Sequence, residues 1–313
     1  MSVPFALMFP GQGAQSPGML AQLANNFSVI KETFDQAAAV LGYDLWHVIQ
    51  HDAARLNQTE VTQPAILTAS IALYRMWRQV DTSAPSVLVG HSLGEFTALV
   101  VAEALSFEQA VALVAKRGAL MQAAVPNGAG KMAAILGLDN AVLQSLCEMA
   151  AQDQVVSCAN YNAVGQTVVA GDAAAVERLM QLAKESGAKR AVPLMVSVPS
   201  HCQLMRSAAE QFSVALAAVD WNAPTIPVIH NADASVHSSL DQLRAVLTLQ
   251  LTEPVHFVES IQKLVADFGV QRIYECGPGK VLSGLVKRID RSVDLVALEE
   301  WFNQQIGAVY NDK

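Results

Sequence analysis

The sequence predicts an α/β protein: a large domain whose parallel sheet is covered by helices, with a small ferredoxin-like (β-α-β-β-α-β) domain inserted into it. Short apolar runs bounded by turn residues alternate with longer helical patterns, as expected of strands buried on both faces of a parallel sheet. Between residues 128 and 197 the rhythm changes to strand, helix, strand, strand, helix, strand. The chain is also large and apolar enough for such a core, with 313 residues, 52% hydrophobic and 15% charged. Its mean hydropathy of +0.29 excludes a disordered chain, which would lack the burial to offset chain entropy.

The first strand is Pro4-Phe-Ala-Leu-Met-Phe9, stopped by Pro10-Gly11-Gln12-Gly13. Helical patterns follow at 27–41, 45–51 and 63–80. The second strand, Ser86-Val-Leu-Val-Gly90, leads into a helical region from Leu93, and 107–124 is helical again. Strands at 131–138, 155–163, 167–171 and 189–196, with helices at 140–152 and 173–187, make up the inserted unit. Pro126-Asn-Gly128 and Pro199 punctuate its edges. The domains are therefore read as 1–127 with 198–313, and 128–197. Helices at 204–219, 239–251 and 257–268 separate two further strands, 227–229 and 272–276. A cleft between the domains is the expected small-molecule site.

Several classes drop out. The most apolar stretch, Phe96 to Val114, is broken by Glu103, Ser106, Glu108 and Gln109, short of the roughly 18 apolar residues a spanning helix needs. No Lys or Arg precedes the first apolar run, which Pro4 and Pro10 bracket, unlike a secretory signal. A soluble, cytoplasmic, monomeric protein without a membrane partner is expected. A net charge of −8 provides no global field for nucleic acid. Cys147, Cys158, Cys202 and Cys276 lie far apart without a C-x-x-C spacing, so reduced thiols and no metal are expected.

The sharpest chemical signal is Gly90-His91-Ser92-Leu93-Gly94, a G-x-S-x-G pattern between a strand and a helix. This is the nucleophile elbow of hydrolase-like sheets. Small flanking residues let the chain turn so that the Ser92 hydroxyl projects. The Leu93 N–H, at the helix start, then faces a developing oxyanion. The plainer alternative is a chance turn. A serine needs a base, and seven histidines are available. His91 is read as structural, because adjacent side chains at a turn point apart. His47 and His51 stand at i and i+4 without a further ligand, which suits a solvated helix face better than a metal site. His201, in the segment returning from the small domain, leads the others only modestly. Gly11-Gln12-Gly13 lacks the Lys-Ser/Thr ending of a phosphate loop, which leaves the Gln12 N–H as a second oxyanion donor. Arg117, on an Ala/Val/Leu-rich helix, either snorkels to water or holds a fixed anion.

Phe9-Pro-Gly-Gln-Gly13, Thr62-Gln-Pro-Ala65, Gly90-His-Ser-Leu-Gly-Glu95, the Arg117 helix, Val198-Pro-Ser-His201 and Gly277-Pro-Gly-Lys280 stand in this order. With Leu41-Gly-Tyr-Asp-Leu-Trp46 and the run from Gln63 to Arg75, they resemble the malonyl-CoA:acyl carrier protein transacylases of bacterial type II fatty acid synthesis. The resemblance extends to about Ile289. It implies Ser92 as nucleophile, His201 as general base, Gln12 and Leu93 as backbone oxyanion donors, and Arg117 as ligand of the malonyl carboxylate. It also implies that the backbone carbonyl of Gln250 orients the histidine, so that no acid is needed as a third member. Ala14 stands where many relatives have Ser, at a position without an assigned role.

The implied reaction is a ping-pong transfer from malonyl-CoA, through malonyl-Ser92, to the phosphopantetheine thiol of acyl carrier protein, with no cofactor. An acetyl group, lacking a carboxylate, would leave the Arg117 charge unpaired. Because coenzyme A and carrier proteins are anionic, a local basic patch is expected from Lys189, Arg190, Lys280, Lys287, Arg288 and Arg291. A scattered set of solvated charges is the alternative. Two rival functions remain: an α/β-hydrolase-type esterase or thioesterase, with an acid between Ser92 and His201 in the chain, and a catalytically silent carrier-protein-binding scaffold.

Overall fold

A computed structural model describes residues 3–196 and 198–311. Residue 197, where the inserted unit is expected to close, and residues 1, 2, 312 and 313 lie outside the described residues. The large sheet has the order β7-β2-β1-β8-β9, with β1 at Phe5–Phe9, β2 at Val87–Gly90, β7 at Val228–Ile229, β8 at Arg272–Glu275 and β9 at Asp294–Ala297. All its pairings are parallel. Alternation along β1 explains why the run is apolar throughout. Phe5, Leu7 and Phe9 pack into the larger core beneath the helices Thr59–Trp77 and Phe107–Ala124. Ala6 and Met8 face the second core with Phe257, Ile261 and Val286. Both faces are buried, so neither needs polar residues.

The second sheet is antiparallel, with β3 at Gly130–Leu136, β4 at Val156–Ala163, β5 at Gln166–Asp172 and β6 at Arg190–Pro193, in the order β4-β5-β3-β6. Helices Asn140–Ala151 and Ala173–Glu185 cover one face through Leu143, Leu146, Val176 and Leu179. The other face presents Met132, Ala159, Val168 and Ala170 to Cys202, which puts His201 beside the seam between the sheets. Main-chain bonds close that seam. Val255 N–H donates to the Ala159 carbonyl at 2.9 Å, and Tyr161 N–H to the Val255 carbonyl at 2.9 Å.

The differences from the expected elements are local. The helix expected from residue 63 begins at Thr59 and runs through Pro64, because nearly its whole circumference is buried. The helix expected over 204–219 opens as a 3-10 turn, Gln203–Met205, before Arg206–Ala217. Strand β9 was not anticipated from its short, half-buried Asp-Leu-Val-Ala edge sequence. The helix Val281–Ile289 lacks a capping side chain of its own. Its N-terminus is capped from a distance by Glu275, whose carboxylate accepts from the Leu282 and Ser283 N–H groups. Among the described residues, no helix is long and apolar enough to cross a membrane.

Candidate active site

Strand β2 ends at Gly90, and the chain turns with Ser92 in the left-handed region (φ 52°) before the helix Gly94–Val101. The turn is possible because its flanks lack side chains. A Cβ on Gly90 would fall 2.0 Å from the Gly94 carbonyl carbon, and one on Gly94 would fall 2.0 Å from the Phe9 oxygen. Asn231, buried just beyond β7, braces the elbow: its Nδ2 donates to the Gly90 carbonyl at 2.7 Å, and its Oδ1 accepts from the Ser92 N–H. The Ser92 N–H is therefore occupied. The Leu93 and Gln12 N–H groups donate to nothing among the described residues, and both residues line the same cavity as Ser92.

The Ser92 Oγ lies 2.8 Å from His201 Nε2, and His201 Nδ1 lies 2.7 Å from the Gln250 carbonyl oxygen. A carbonyl can only accept, so Nδ1 carries the proton and Nε2 is free to take one from the serine. His201, like Ser92, has a left-handed backbone (φ 61°). Such conformations cost about 1–3 kcal/mol for non-glycine residues and persist where surrounding contacts fix them. Burial, and then the charge of Arg117, push the His201 pKa down to about 3. The imidazole is neutral at physiological pH.

Arg117 is fully buried. Its Nη1 donates to Gln63 Oε1 at 2.8 Å, and its Nη2 donates to Gln250 Oε1 at 2.8 Å and to Ser92 Oγ at 3.3 Å. The Nε is buried without a partner among the described residues. Burial lowers the pKa to about 10, opposed by the charge of Glu95, so the group stays cationic at neutral pH. Of the two readings open for Arg117, snorkelling is excluded. A cavity of about 150 Å³ joins Arg117 and Ser92 to Met121 of the large sheet's helices and to Met132, Asn160 and Val168 of the small sheet. The cavity thus lies between the two sheets.

Ser92, Leu93, Gln12, Arg117, His201 and Gln250 all meet at this point. His91 lines the same cavity but is not bonded to Ser92: its Nε2 pairs with Asn162 Oδ1 at 2.8 Å and its ring lies edge-on to Phe257. His47 and His51 are exposed with ring centroids 4.9 Å apart, and among the described residues no cluster could hold a metal ion. The four cysteines are free and buried. Sequence reasoning missed Gln63, Glu95 and Asn231. Gln63 and Glu95 stand within the ordered motifs and Asn231 just after a short apolar strand, but nothing in the chain said what each would face.

A part-buried serine on a buried histidine that a neutral carbonyl orients, beside open backbone donors on an α/β fold, is an arrangement chemically suited to acyl transfer. Residues 6–294 match the acyl transferase domain family, and the chain belongs to it. It is 52% identical over 297 residues to the malonyl CoA-acyl carrier protein transacylase of Escherichia coli K12, covering 95% of this chain and 96% of that one. The structure is similar to that of the malonyl CoA-acyl carrier protein transacylase from Coxiella burnetii, with a TM-score of 0.93, 48% identity and 96% of each chain covered. It is likewise similar to a type II PKS malonyl-transacylase solved in complex with its acyl-carrier protein, with a TM-score of 0.91, 47% identity, and 93% of this chain and 94% of that one covered.

Proposed function

We propose that this chain transfers a malonyl group from malonyl-CoA to the phosphopantetheine thiol of acyl carrier protein by a ping-pong mechanism. The observation that carries the reading is the buried guanidinium of Arg117, 3.3 Å from the nucleophile hydroxyl inside the cavity. Such a cation selects an acyl group with a carboxylate at its far end.

In the first half-reaction Ser92 Oγ adds to the thioester carbonyl as its proton passes to His201 Nε2. The N–H groups of Leu93 and Gln12 hold the oxyanion of the tetrahedral intermediate. Collapse breaks the C–S bond, and the leaving sulfur takes the proton from His201, leaving malonyl-Ser92. In the second half the carrier thiol gives its proton to His201 and its sulfur attacks the serine ester. The C–O bond then breaks and the proton returns to Oγ. One imidazole serves both halves and no cofactor enters the cycle.

The thioesterase reading loses its main support. It requires an acid on His201 Nδ1, and that atom faces the Gln250 carbonyl instead. The finer descriptions belong to the same proposal: a hydrolase-like large domain, a ferredoxin-like small domain between residues 128 and 197, a monomer and a cytoplasmic setting. The silent-scaffold reading fails if Ser92 is labelled. Intact mass after incubation with malonyl-CoA, and then with holo carrier protein, tests the cycle. The expected sequence is an acylated protein, then free protein with malonylated carrier. Free malonate without malonylated carrier would overturn the proposal.

A further inference from the structure

Behind the reacting groups lies a second layer that does not line the cavity. The Gln250 side chain bridges two buried charged residues. Its Oε1 accepts from Arg117 Nη2 at 2.8 Å, while its Nε2 donates to Glu95 Oε2 at 2.7 Å and to the Ser92 carbonyl at 3.0 Å. Glu95 is completely buried on the first turn of the helix that follows the elbow. Its carboxylate accepts two more bonds, from His230 Nδ1 at 2.6 Å and from the Asn231 N–H at 3.0 Å. A guanidinium only donates and a carboxylate only accepts. An amide between them therefore has one permitted orientation, oxygen toward Arg117 and nitrogen toward Glu95.

That polarity has consequences on both sides. The oxygen of Gln250 holds one arm of the guanidinium, and Gln63 holds the other. The backbone carbonyl of the same Gln250 fixes the His201 tautomer. Through Asn231, Glu95 is also tied to the residue that braces the Ser92 turn. We propose that Glu95 is a positioning residue for acyl-group selection: by fixing the orientation of the Gln250 amide, it holds the Arg117 fork where a substrate carboxylate meets it. This rests on the proposed malonyl transfer, and Glu95 itself touches no substrate.

Glu95→Gln tests it, because a glutamine there presents its own NH₂ to donors that now meet only oxygen, and the Gln250 amide loses its fixed direction. Single-turnover acylation of wild type and variant by malonyl-CoA and by acetyl-CoA, followed by intact mass, gives kcat/KM for each ester. The malonyl value is expected to fall about tenfold or more, as for a lost hydrogen bond to a charged group, and the acetyl value by less than about threefold. In an Arg117→Ala background the same substitution should no longer alter the malonyl-to-acetyl ratio, since effects that act through one group are not additive. Gln250→Met keeps the backbone carbonyl on His201 but removes the side-chain bridge. It is expected to reproduce the loss of selectivity, and it keeps the test decisive if Glu95→Gln does not fold. An unchanged ratio in the folded variants, or equal losses on both esters, would reduce Glu95 to a structural residue and overturn the inference. A wild type that is not acylated by malonyl-CoA would instead overturn the reading beneath it, before any variant is compared.

Discussion

Arg117 donates a hydrogen bond to the Ser92 hydroxyl, 3.3 Å from Nη2 to Oγ, so the buried cation and the proposed nucleophile are in direct contact. The same guanidinium also holds two amide oxygens, from Gln63 and Gln250. This corrects the expectation that an acetyl group leaves the charge unpaired. In the free protein the charge is already hydrogen-bonded, and only Nε lacks a partner among the described residues. On the proposed reading, selection comes from what a carboxylate adds and not from what an acetyl group abandons.

Arg117→Ala is accordingly expected to lower kcat/KM for malonyl-CoA by about ten- to a hundredfold, the equivalent of a hydrogen bond to a charged group at roughly 1.5–3 kcal/mol. Acetyl-CoA should change by less than about threefold. Arg117→Lys should recover little, since a point charge on a flexible stem cannot keep both amide oxygens and a carboxylate in one plane. Equal losses on both esters would assign Arg117 to structure alone.

The acid side of the pH profile follows from the buried imidazole. With its pKa at about 3, His201 is neutral in the folded protein where an exposed histidine is half-protonated near pH 6.5. Acylation at saturating malonyl-CoA should therefore stay flat from pH 8 down to about pH 5, without an inflection near 6.5. The effect on stability has a definite sign. The unfolded chain binds this proton below about pH 6.5 and the folded chain does not, so stability from this site is complete above that pH and declines as pH falls toward 3. An acylation rate that halves near pH 6.5 would mean the imidazole is not held neutral.

Asn231 should matter to stability and to rate together. Removing its side chain strands the Gly90 carbonyl and the Ser92 N–H in a buried position, at roughly 1–3 kcal/mol for each unsatisfied group. The positive φ of Ser92 also loses its brace. Asn231→Ala is expected to lower Tm by several degrees and to slow formation of the acyl-enzyme, whereas Asn231→Asp, which keeps one acceptor for the Ser92 N–H, should retain more of both. Differential scanning calorimetry and single-turnover acylation read the two effects. A fully active Asn231→Ala would show that the elbow holds its shape unaided.

Much of this site was legible in the chain because its chemistry is local. The Gly90–Gly94 elbow needs small flanks and a strand-to-helix junction, and each is written in adjacent residues. The alternating fates of Phe5, Leu7 and Phe9 against Ala6 and Met8 also follow from a strand that is apolar on both sides. Long-range polar pairing was not legible. Glu95 to His230 spans 135 positions and Arg117 to Gln250 spans 133, and no local pattern links them. Likewise, the helix Val281–Ile289 takes its cap from Glu275, on the preceding strand. The readings of Gln250 as partner of the histidine and of Arg117 as ligand of an anion rest on resemblance and not on spacing; the structure sets the Gln250 carbonyl on His201 Nδ1 and surrounds the guanidinium with two amide oxygens and a hydroxyl.

On the proposed reading, the basic patch is narrower than the six residues the sequence suggests. Lys280 is bound to Glu300 at 2.9 Å, at the far end of the helix from Arg288. The other five lie around one seam. Arg190 pairs in register with Leu136, Leu136 pairs with Gln166, and the Gln166 side chain accepts from Arg288. Lys189 adjoins Arg190, and Lys287 and Arg291 share a surface depression with Arg288. A docked acidic carrier protein would meet these charges in solvent, where each pair contributes about 0.2–1 kcal/mol and is screened over about 8 Å at physiological ionic strength. Arg190→Glu and Arg288→Glu should therefore each raise KM for the carrier protein roughly two- to fivefold and leave single-turnover acylation by malonyl-CoA within about twofold of wild type, while Lys280→Glu leaves both unchanged. Salt should weaken carrier transfer more steeply in wild type than in the double reversal. An unchanged carrier KM in the Arg190→Glu/Arg288→Glu protein would move the docking face off this seam altogether.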